Sequence, residues 1–308
     1  MINITCPICK NSNILNQNLL TIKKNNNACY IKECSNCKHI FTFFDWEVDL
    51  NQYYDGNDYI VRDTKKTIFY FIQKLEYQKV INQIKKYTDR KKISLLDFGS
   101  GKGLFLNFAK SSGFEVKGVE TSIPRANYAI NTFNVEVDTN SYFAGKVFTN
   151  SFDVITFFHV LEHLDMPCEL LKNLINDNLN VNGMVVIEVP NFNSWQSKWS
   201  GEHWLHLDVP RHLNHFTSIK IEEIILQLNL LVIKKEYFSL HHGVIGMIQT
   251  IWSWFGYKGF LIGQLKEDKS LKTLFKIGIV LPFAFILELI SCIFQSGGIL
   301  RYYIKNNS

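Results

Sequence analysis

Charge of one sign is scarce in this sequence. Lysine and arginine outnumber aspartate and glutamate by only five, 33 against 28, and no dense basic block interrupts the chain. So weak and scattered an excess does not suggest a nucleic-acid binder. No secretory leader is expected either, since Met1-Ile2-Asn3-Ile4-Thr5 runs straight into a cysteine pair. The expectation is a reducing, cytoplasmic setting, in which seven cysteines favour metal over disulfides. Nor does the composition lack a core: 46% of residues are hydrophobic and 20% charged. That balance excludes wholesale disorder, collagen-like repeats and a disulfide-stapled miniprotein. The 308 residues provide for about two domains, on a prior of roughly 150 residues each.

The first informative pattern is Cys6-Pro7-Ile8-Cys9 and Cys34-Ser35-Asn36-Cys37, two CxxC pairs with 24 residues between them. A CxxC turn lets two thiolates reach one tetrahedral ion, and two such turns complete a four-sulfur shell. Cys6, Cys9, Cys34 and Cys37 are therefore the candidate ligands of a structural Zn2+ in a ribbon over 1–45. Tyr30–Glu33 reads as a strand entering the second turn. The competing reading is a lapsed ribbon that folds without metal. Cys29 and His39 are nearby spare ligands.

An aromatic stretch, Phe41 to Trp46 and then Tyr53, Tyr54 and Tyr59, leads from the ribbon into region 46–92. It reads as packing between ribbon and main domain, or as a lid over a ligand. Helical spacing of Ile68, Phe71, Ile72, Leu75, Val80, Ile84 and Tyr87 predicts a helix over 66–87. Ile93–Phe98 then reads as a buried strand, Gly99-Ser100-Gly101-Lys102-Gly103 as a glycine turn, and Leu104–Ala109 as an amphipathic helix. Such a turn lets backbone approach a ligand and aims helix N–H groups at it. A dinucleotide fingerprint would place its third glycine at 104, where Leu104 stands. A second strand, Phe114–Val119, ends in Glu120, 21 positions after Gly99. A carboxylate there can accept hydrogen bonds from both hydroxyls of a ribose.

Asp97, the GxGxG turn and Glu120 together resemble the class I S-adenosylmethionine (SAM) methyltransferases. The resemblance implies a cofactor site of Asp97, Gly99, Ser100, Gly101, Gly103, Glu120, Thr121, Phe158 and His159. It continues through Ser151–Leu164 (SFDVITFFHVLEHL), the strand Met184–Val189 with Pro190-Asn191, and Trp204–Phe216 (WLHLDVPRHLNHF). These motifs are similar to quinone-biosynthesis O-methyltransferases. With an N-terminal ribbon they resemble deoxysugar C-methyltransferases and the methyltransferases of polysaccharide gene clusters. The resemblance covers about 1–240 and the last ten residues, and fixes reaction type better than substrate. Two motifs compete. His159-Val160-Leu161-Glu162-His163 matches the HxxEH pattern of zinc peptidases, which needs a helix where a strand ends here. Pro167-Cys168 resembles a cytosine-methyltransferase nucleophile but leads into a helix over 168–178, and the [DNS]PP[YF] tetrapeptide is absent.

Eight of the nine histidines lie between 159 and 242. Methyl transfer to a hydroxyl or carbon acid requires removal of a proton, and imidazole titrates in the right range. His163, His206, His212 and His215 are the candidate bases, with Arg211 to hold an anionic group such as a sugar phosphate; for each, a structural hydrogen-bonded role competes. Glu162 orients His163 or caps the adjoining helix, Trp195, Trp199 and Trp204 are candidate walls of an acceptor pocket, and Asp153 serves the fold.

The expected fold is a doubly wound, Rossmann-like α/β sheet of seven strands with an antiparallel last strand. Its parts are the ribbon, a core over 93–240, an apolar helical insertion over 241–297 and a closing strand over 298–308. In the insertion, 243–263 and 274–295 are rich in large apolar residues, with Lys276, Pro282 and Glu288 inside the second. If strands 230–240 and 298–305 pair, both lie on one side of any membrane, so a single crossing is impossible. A soluble helical cap, a hairpin on a membrane surface and two true spans remain. The expected function is SAM-dependent methyl transfer to a small-molecule acceptor, a sugar, nucleotide-sugar or lipid-linked glycan intermediate. The expected place is the cytoplasm, or its membrane face through 243–295. An RNA methyltransferase reading through the ribbon and a non-enzymatic SAM-binding partner protein are the alternatives.

Overall fold

The computed structural model describes residues 5–12, 18–24, 27–49, 67–140, 142, 148–267 and 270–306. Tyr53, Tyr54 and Tyr59 lie outside the described residues. In chain order the elements are β1 (Asn18–Lys24), β2 (Asn27–Glu33), β3 (Ile40–Phe44), α1 (Ile68–Tyr87), β4 (Ser94–Phe98), α2 (Leu104–Ser111), β5 (Glu115–Val119), α3 (Ile123–Phe133), β6 (Glu136–Asp138) and β7 (Phe152–Phe158). There follow α4 (Pro167–Asn178), β8 (Leu179–Pro190), α5 (Trp195–Ser200), β9 (Asn214–His215), α6 (Ser218–Gln227), β10 (Leu230–Glu236), α7 (His242–Trp254), α8 (Leu261–Glu267), α9 (Leu271–Ile293) and β11 (Ile299–Asn306).

Seven strands form the main sheet in the order β10-β11-β8-β7-β4-β5-β6. The pairs among β8, β7, β4, β5 and β6 are parallel, and β11 runs antiparallel to both β8 and β10. That is the doubly wound sheet with an antiparallel last strand that the sequence led us to expect. Its central strands read as near-continuous apolar runs because both faces are covered. On one face Leu170, Leu171 and Leu174 of α4 and Ile221, Ile224 and Ile225 of α6 meet Ile155, Ile187 and Tyr302. On the other, Val80, Ile81 and Ile84 of α1 pack with Phe105 and Leu106 of α2 against Leu95, Val154 and Tyr303. Asp153 ties β4 to β7, accepting from the Ser94 amide and hydroxyl at 3.0 Å and pairing with Arg90.

Three elements differ from expectation. The buried positions of α1 run from Glu76 to Ile84; Ile68, Phe71 and Leu75 face outward, while Tyr70 on the same turns packs on Phe108 of α2. Strand β10 stops at Glu236 rather than 240, because its register with β11 ends at the Glu236–Arg301 pair. The N-terminal ribbon is also not bounded at residue 45. Its sheet has the order β1-β2-β3-β9, and the fourth strand is supplied by Asn214-His215.

Candidate active site

Open α/β sheets bind ligands at the carboxyl ends of their parallel strands. At the end of β4, Gly99, Gly101 and Gly103 all have positive φ, 76°, 55° and 71°, the left-handed backbone that glycine adopts without steric cost. The amides of Gly99 and Ser100 each donate to the Val119 carbonyl at 2.8 Å, which folds the turn over β5. Glu120 closes it: one carboxylate oxygen accepts from the Gly101 amide and the other from the Ser122 amide, each at 2.8 Å. The three glycines differ in what surrounds them. A Cβ on Gly99 would stand 2.4 Å from Val160 Cγ2, and one on Gly103 would stand 2.6 Å from Ala129 Cβ. Nothing described lies within 4 Å of that position on Gly101. Gly103 is thus a packing glycine between α2 and α3, whereas Gly101 borders open space. Ser100 Oγ is buried with no hydrogen-bond partner among the described residues. Asp97 is buried and accepts from Thr156 Oγ1 at 2.6 Å. Burial pushes its carboxyl up to about 7 against the pull of that hydroxyl. Thr121 is exposed beside Glu120, and Phe158 is half-buried, its ring 4.8 Å from that of Phe105.

His159 follows Phe158 and leaves β7 with φ +56°, a conformation rare for a bulky residue. Its Nδ1 lies 3.1 Å from a Glu162 oxygen and its Nε2 3.1 Å from a Glu188 oxygen. Burial would lower its pKa, but the two carboxylates overcome that and carry it to about 9. Glu188 in turn meets Arg301 of β11, which also pairs with Glu76 of α1 at 2.9 Å and Glu236 of β10 at 3.2 Å. Burial alone would raise the Glu188 carboxyl, yet Arg301 and His159 hold it down to about 2. Four elements therefore lock one imidazolium at the cofactor-loop edge. The His242 ring lies 4.2 Å from that of His159, and His241 lies 3.7 Å from His242.

A second group lies one turn on. His163 Nδ1 is 3.0 Å from the Arg211 carbonyl and His212 Nδ1 is 2.8 Å from the His206 carbonyl. Carbonyls accept only, so both Nδ1 atoms carry a proton. The His163 and His212 rings meet edge-on at 4.7 Å. His206 Nε2 donates to the His242 carbonyl at 3.1 Å. Burial lowers His206 to about 4 and drives His212 well below the ordinary histidine value. Arg211 is oriented by Asp208, with Nε at 3.1 Å and Nη2 at 2.7 Å from one carboxylate oxygen.

Several expectations are corrected by these placements. His215 sits in β9 inside the ribbon sheet, within 2.9 Å of Thr42 Oγ1. Its burial there lowers its pKa to about 3. Trp204 packs with Ile31 and Ile40 of the ribbon, while Trp195 and Trp199 stack together with Trp254 and Phe294, so the three tryptophans wall no common pocket. Glu162 orients His159 rather than His163. The HxxEH histidines diverge, since 161–163 is a single 3-10 turn, and His159 and His163 face different partners. Glu76, Glu188, Arg301, His241 and His242 were missed. The signal available for two of them was a charge inside an apolar strand, Glu188 in VVIEVP and Arg301 in ILRYYI.

The four ribbon cysteines converge. Cys6 and Cys37 sulfurs are 3.6 Å apart, as are those of Cys9 and Cys34, and all four lie within 4.8 Å of one another. Each pair sits in a tight turn closed by an amide, Lys10 to the Cys6 carbonyl at 3.0 Å and Lys38 to the Cys34 carbonyl at 2.9 Å. Cys29 is buried apart from this group, and His39 is held by Asn214 at 3.0 Å.

Comparison with known proteins places this arrangement. The family model described as "Methyltransferase domain" matches residues 70–235, from α1 to β10. No curated protein matches significantly over the sequence. Among solved structures, the chain is similar to phosphoethanolamine N-methyltransferase 2 of Haemonchus contortus in complex with SAM. The TM-score is 0.55 at 15% identity, covering 94% of this chain and 71% of that one. It is also similar to the plantazolicin methyltransferase BpumL in complex with S-adenosylhomocysteine, with TM-score 0.50 at 15% identity, covering 84% and 91%. The glycine turn, the seven-stranded order and the family match lead to one conclusion: the chain belongs to the methyltransferase-domain family and is a methyltransferase on the class I, SAM-dependent fold.

Proposed function

We propose that this enzyme transfers the methyl group of SAM to a small-molecule acceptor, a sugar, nucleotide-sugar or lipid-linked glycan intermediate, at the cytoplasmic face of the cell. The observation that carries the reading is the adjacency of the Gly101–Glu120 turn and the histidine–carboxylate network at one edge of the sheet. The residues present fit the cofactor. Open space above Gly101 leaves room for it, and the buried Ser100 hydroxyl wants a partner. Glu120 would hold the ribose, Asp97 and the loop amides the amino-acid end, and Thr121, Phe158 and His159 the flanks. When bound, SAM supplies an electrophilic methyl on a sulfonium that leaves as a neutral thioether.

The chain's own residues then divide the remaining tasks. His163 is only half-buried and is anchored through Nδ1 to the Arg211 carbonyl, and it takes the acceptor's proton. His212 and His206 position that ring and the loop 204–212 behind it. Arg211, held by Asp208, binds an anionic group of the acceptor. His159 is doubly ion-paired, so it supplies a fixed positive charge rather than a base. The four ribbon thiolates hold Zn2+: at a Zn–S distance of about 2.3 Å, sulfurs on a tetrahedron stand about 3.8 Å apart, close to the 3.6 Å found. The preference for a sugar acceptor rests on the sequence resemblance. Calorimetry of SAM binding is the test. Wild type should bind, and Glu120→Ala and Asp97→Ala should weaken binding by tenfold or more. Absence of binding by the wild type would sink the reading.

A further inference from the structure

The apolar insertion leaves a surface that no described element covers. Helix α9 packs on α7 along one seam: Thr273, Ala284, Glu288 and Ser291 are buried, and Ile277, Val280 and Leu287 lie beside them at helical spacing. Its other face is exposed and still apolar. Phe275 is 70% exposed, Phe283 65% and Ile279 54%. A helix apolar all round belongs in a protein core or in lipid, and only 17% of the 18-residue apolar window of α9 is buried. The exposed face continues at one end into the stacked rings of Trp195, Trp199, Trp254 and Phe294.

We infer that this face docks on an anionic lipid bilayer, lying in its surface without crossing it. The inference does not depend on which acceptor the enzyme methylates. Two observations exclude crossing. Strands β10 and β11 flank the insertion and pair in one sheet, so the chain leaves and returns on the same side. Helix α7, which would have to be the second span, has 13 residues, about 20 Å at 1.5 Å per residue, too short for a bilayer core of about 30 Å. Charge selects the bilayer over a second copy of this chain. Residues 241–297 carry five lysines against three acids, and one of those acids, Glu288, is fully buried and bound to Gln196 and the Gly298 amide. Lys198, Lys258 and Lys276 are exposed. Two copies of this surface would bring like charges together, whereas anionic headgroups meet them favourably. Tryptophans at the rim suit the boundary between headgroup and acyl chain.

The experiment is flotation of the full chain with vesicles of equimolar phosphatidylcholine and phosphatidylglycerol, beside vesicles of phosphatidylcholine alone. The chain should float with the anionic vesicles, and less so in high salt. Phe275→Glu with Phe283→Glu should lower partitioning at least tenfold, since two apolar rings would no longer be buried in lipid. Both side chains are exposed, so SAM binding by calorimetry should be unchanged, which separates failure of docking from failure of the cofactor site. Brominated lipid should quench tryptophan fluorescence in the wild type, and less in Trp199→Phe with Trp254→Phe. A monomer that stays off both vesicle types, or a stable dimer that the double glutamate change dissociates, would overturn the inference.

Discussion

At the scale of single residues, titration decides how the site behaves. His159 has its pKa raised to about 9 in the fold, against about 6.5 in an unfolded chain. Its pairing with Glu162 and Glu188 is therefore fully present below about pH 6.5 and is lost as pH rises toward 9. His206, His215 and His241 have the opposite sign. Burial lowers them to about 4, 3 and 3, so stability falls as pH drops from about 6.5 through those values. Chemical unfolding across pH should give a maximum between about pH 6 and 7. In His159→Gln the decline between 6.5 and 9 should flatten while the acid limb stays. An unchanged alkaline limb would show that the two carboxylates do not hold the imidazolium.

Among elements, the strand–turn–helix unit makes a prediction that separates folding from binding. Gly103→Ala puts a Cβ 2.6 Å from Ala129 in a left-handed backbone, so α2 and α3 must part, at a cost of about 2–4 kcal/mol. Gly101→Ala meets nothing described and should cost only the left-handed strain, about 1–2 kcal/mol. It intrudes, however, on the space assigned to the cofactor. The expected outcome is a large drop in melting temperature for Gly103→Ala, and for Gly101→Ala a small drop with loss of SAM binding. What was legible in the sequence follows the same division. The turn, its flanking strand and helix, and Glu120 read directly because their contacts are local, within about twenty residues. The Arg301 network did not, because its partners Glu76, Glu188 and Glu236 come from three separate elements. No periodicity records that Arg301 of β11 lands beside Glu188 of β8. His215 was misassigned for the same reason: a two-residue strand such as β9 leaves no pattern, and only the pairing with Ile40 shows where it goes.

On the scale of the whole molecule, the ribbon and the catalytic sheet form one body. Thr42 donates to the His212 carbonyl and its amide takes the Leu213 carbonyl, so the ribbon grips the same loop that carries His206, Arg211 and His212. Loss of the zinc proposed for the four cysteines should then be felt at the site. Mass spectrometry should find one zinc per chain. Chelation, or Cys6→Ser with Cys37→Ser, should lower the melting temperature by roughly 5–10 °C, about 3 kcal/mol for a domain of this size. Unfolding should remain a single transition and SAM turnover should fall with it. A separate early transition with activity intact would show that the ribbon is only an appendage.

The pairing of β3 with β9 also bears on how the chain is made. The ribbon's first three strands leave the ribosome early, but the edge of β3 stays open until residues 214–215 have followed, some 170 residues later. An open edge is a template for pairing with another chain. During synthesis the nascent ribbon therefore has a long interval of exposure, and a product truncated between β3 and β9 should aggregate even with every cysteine in place.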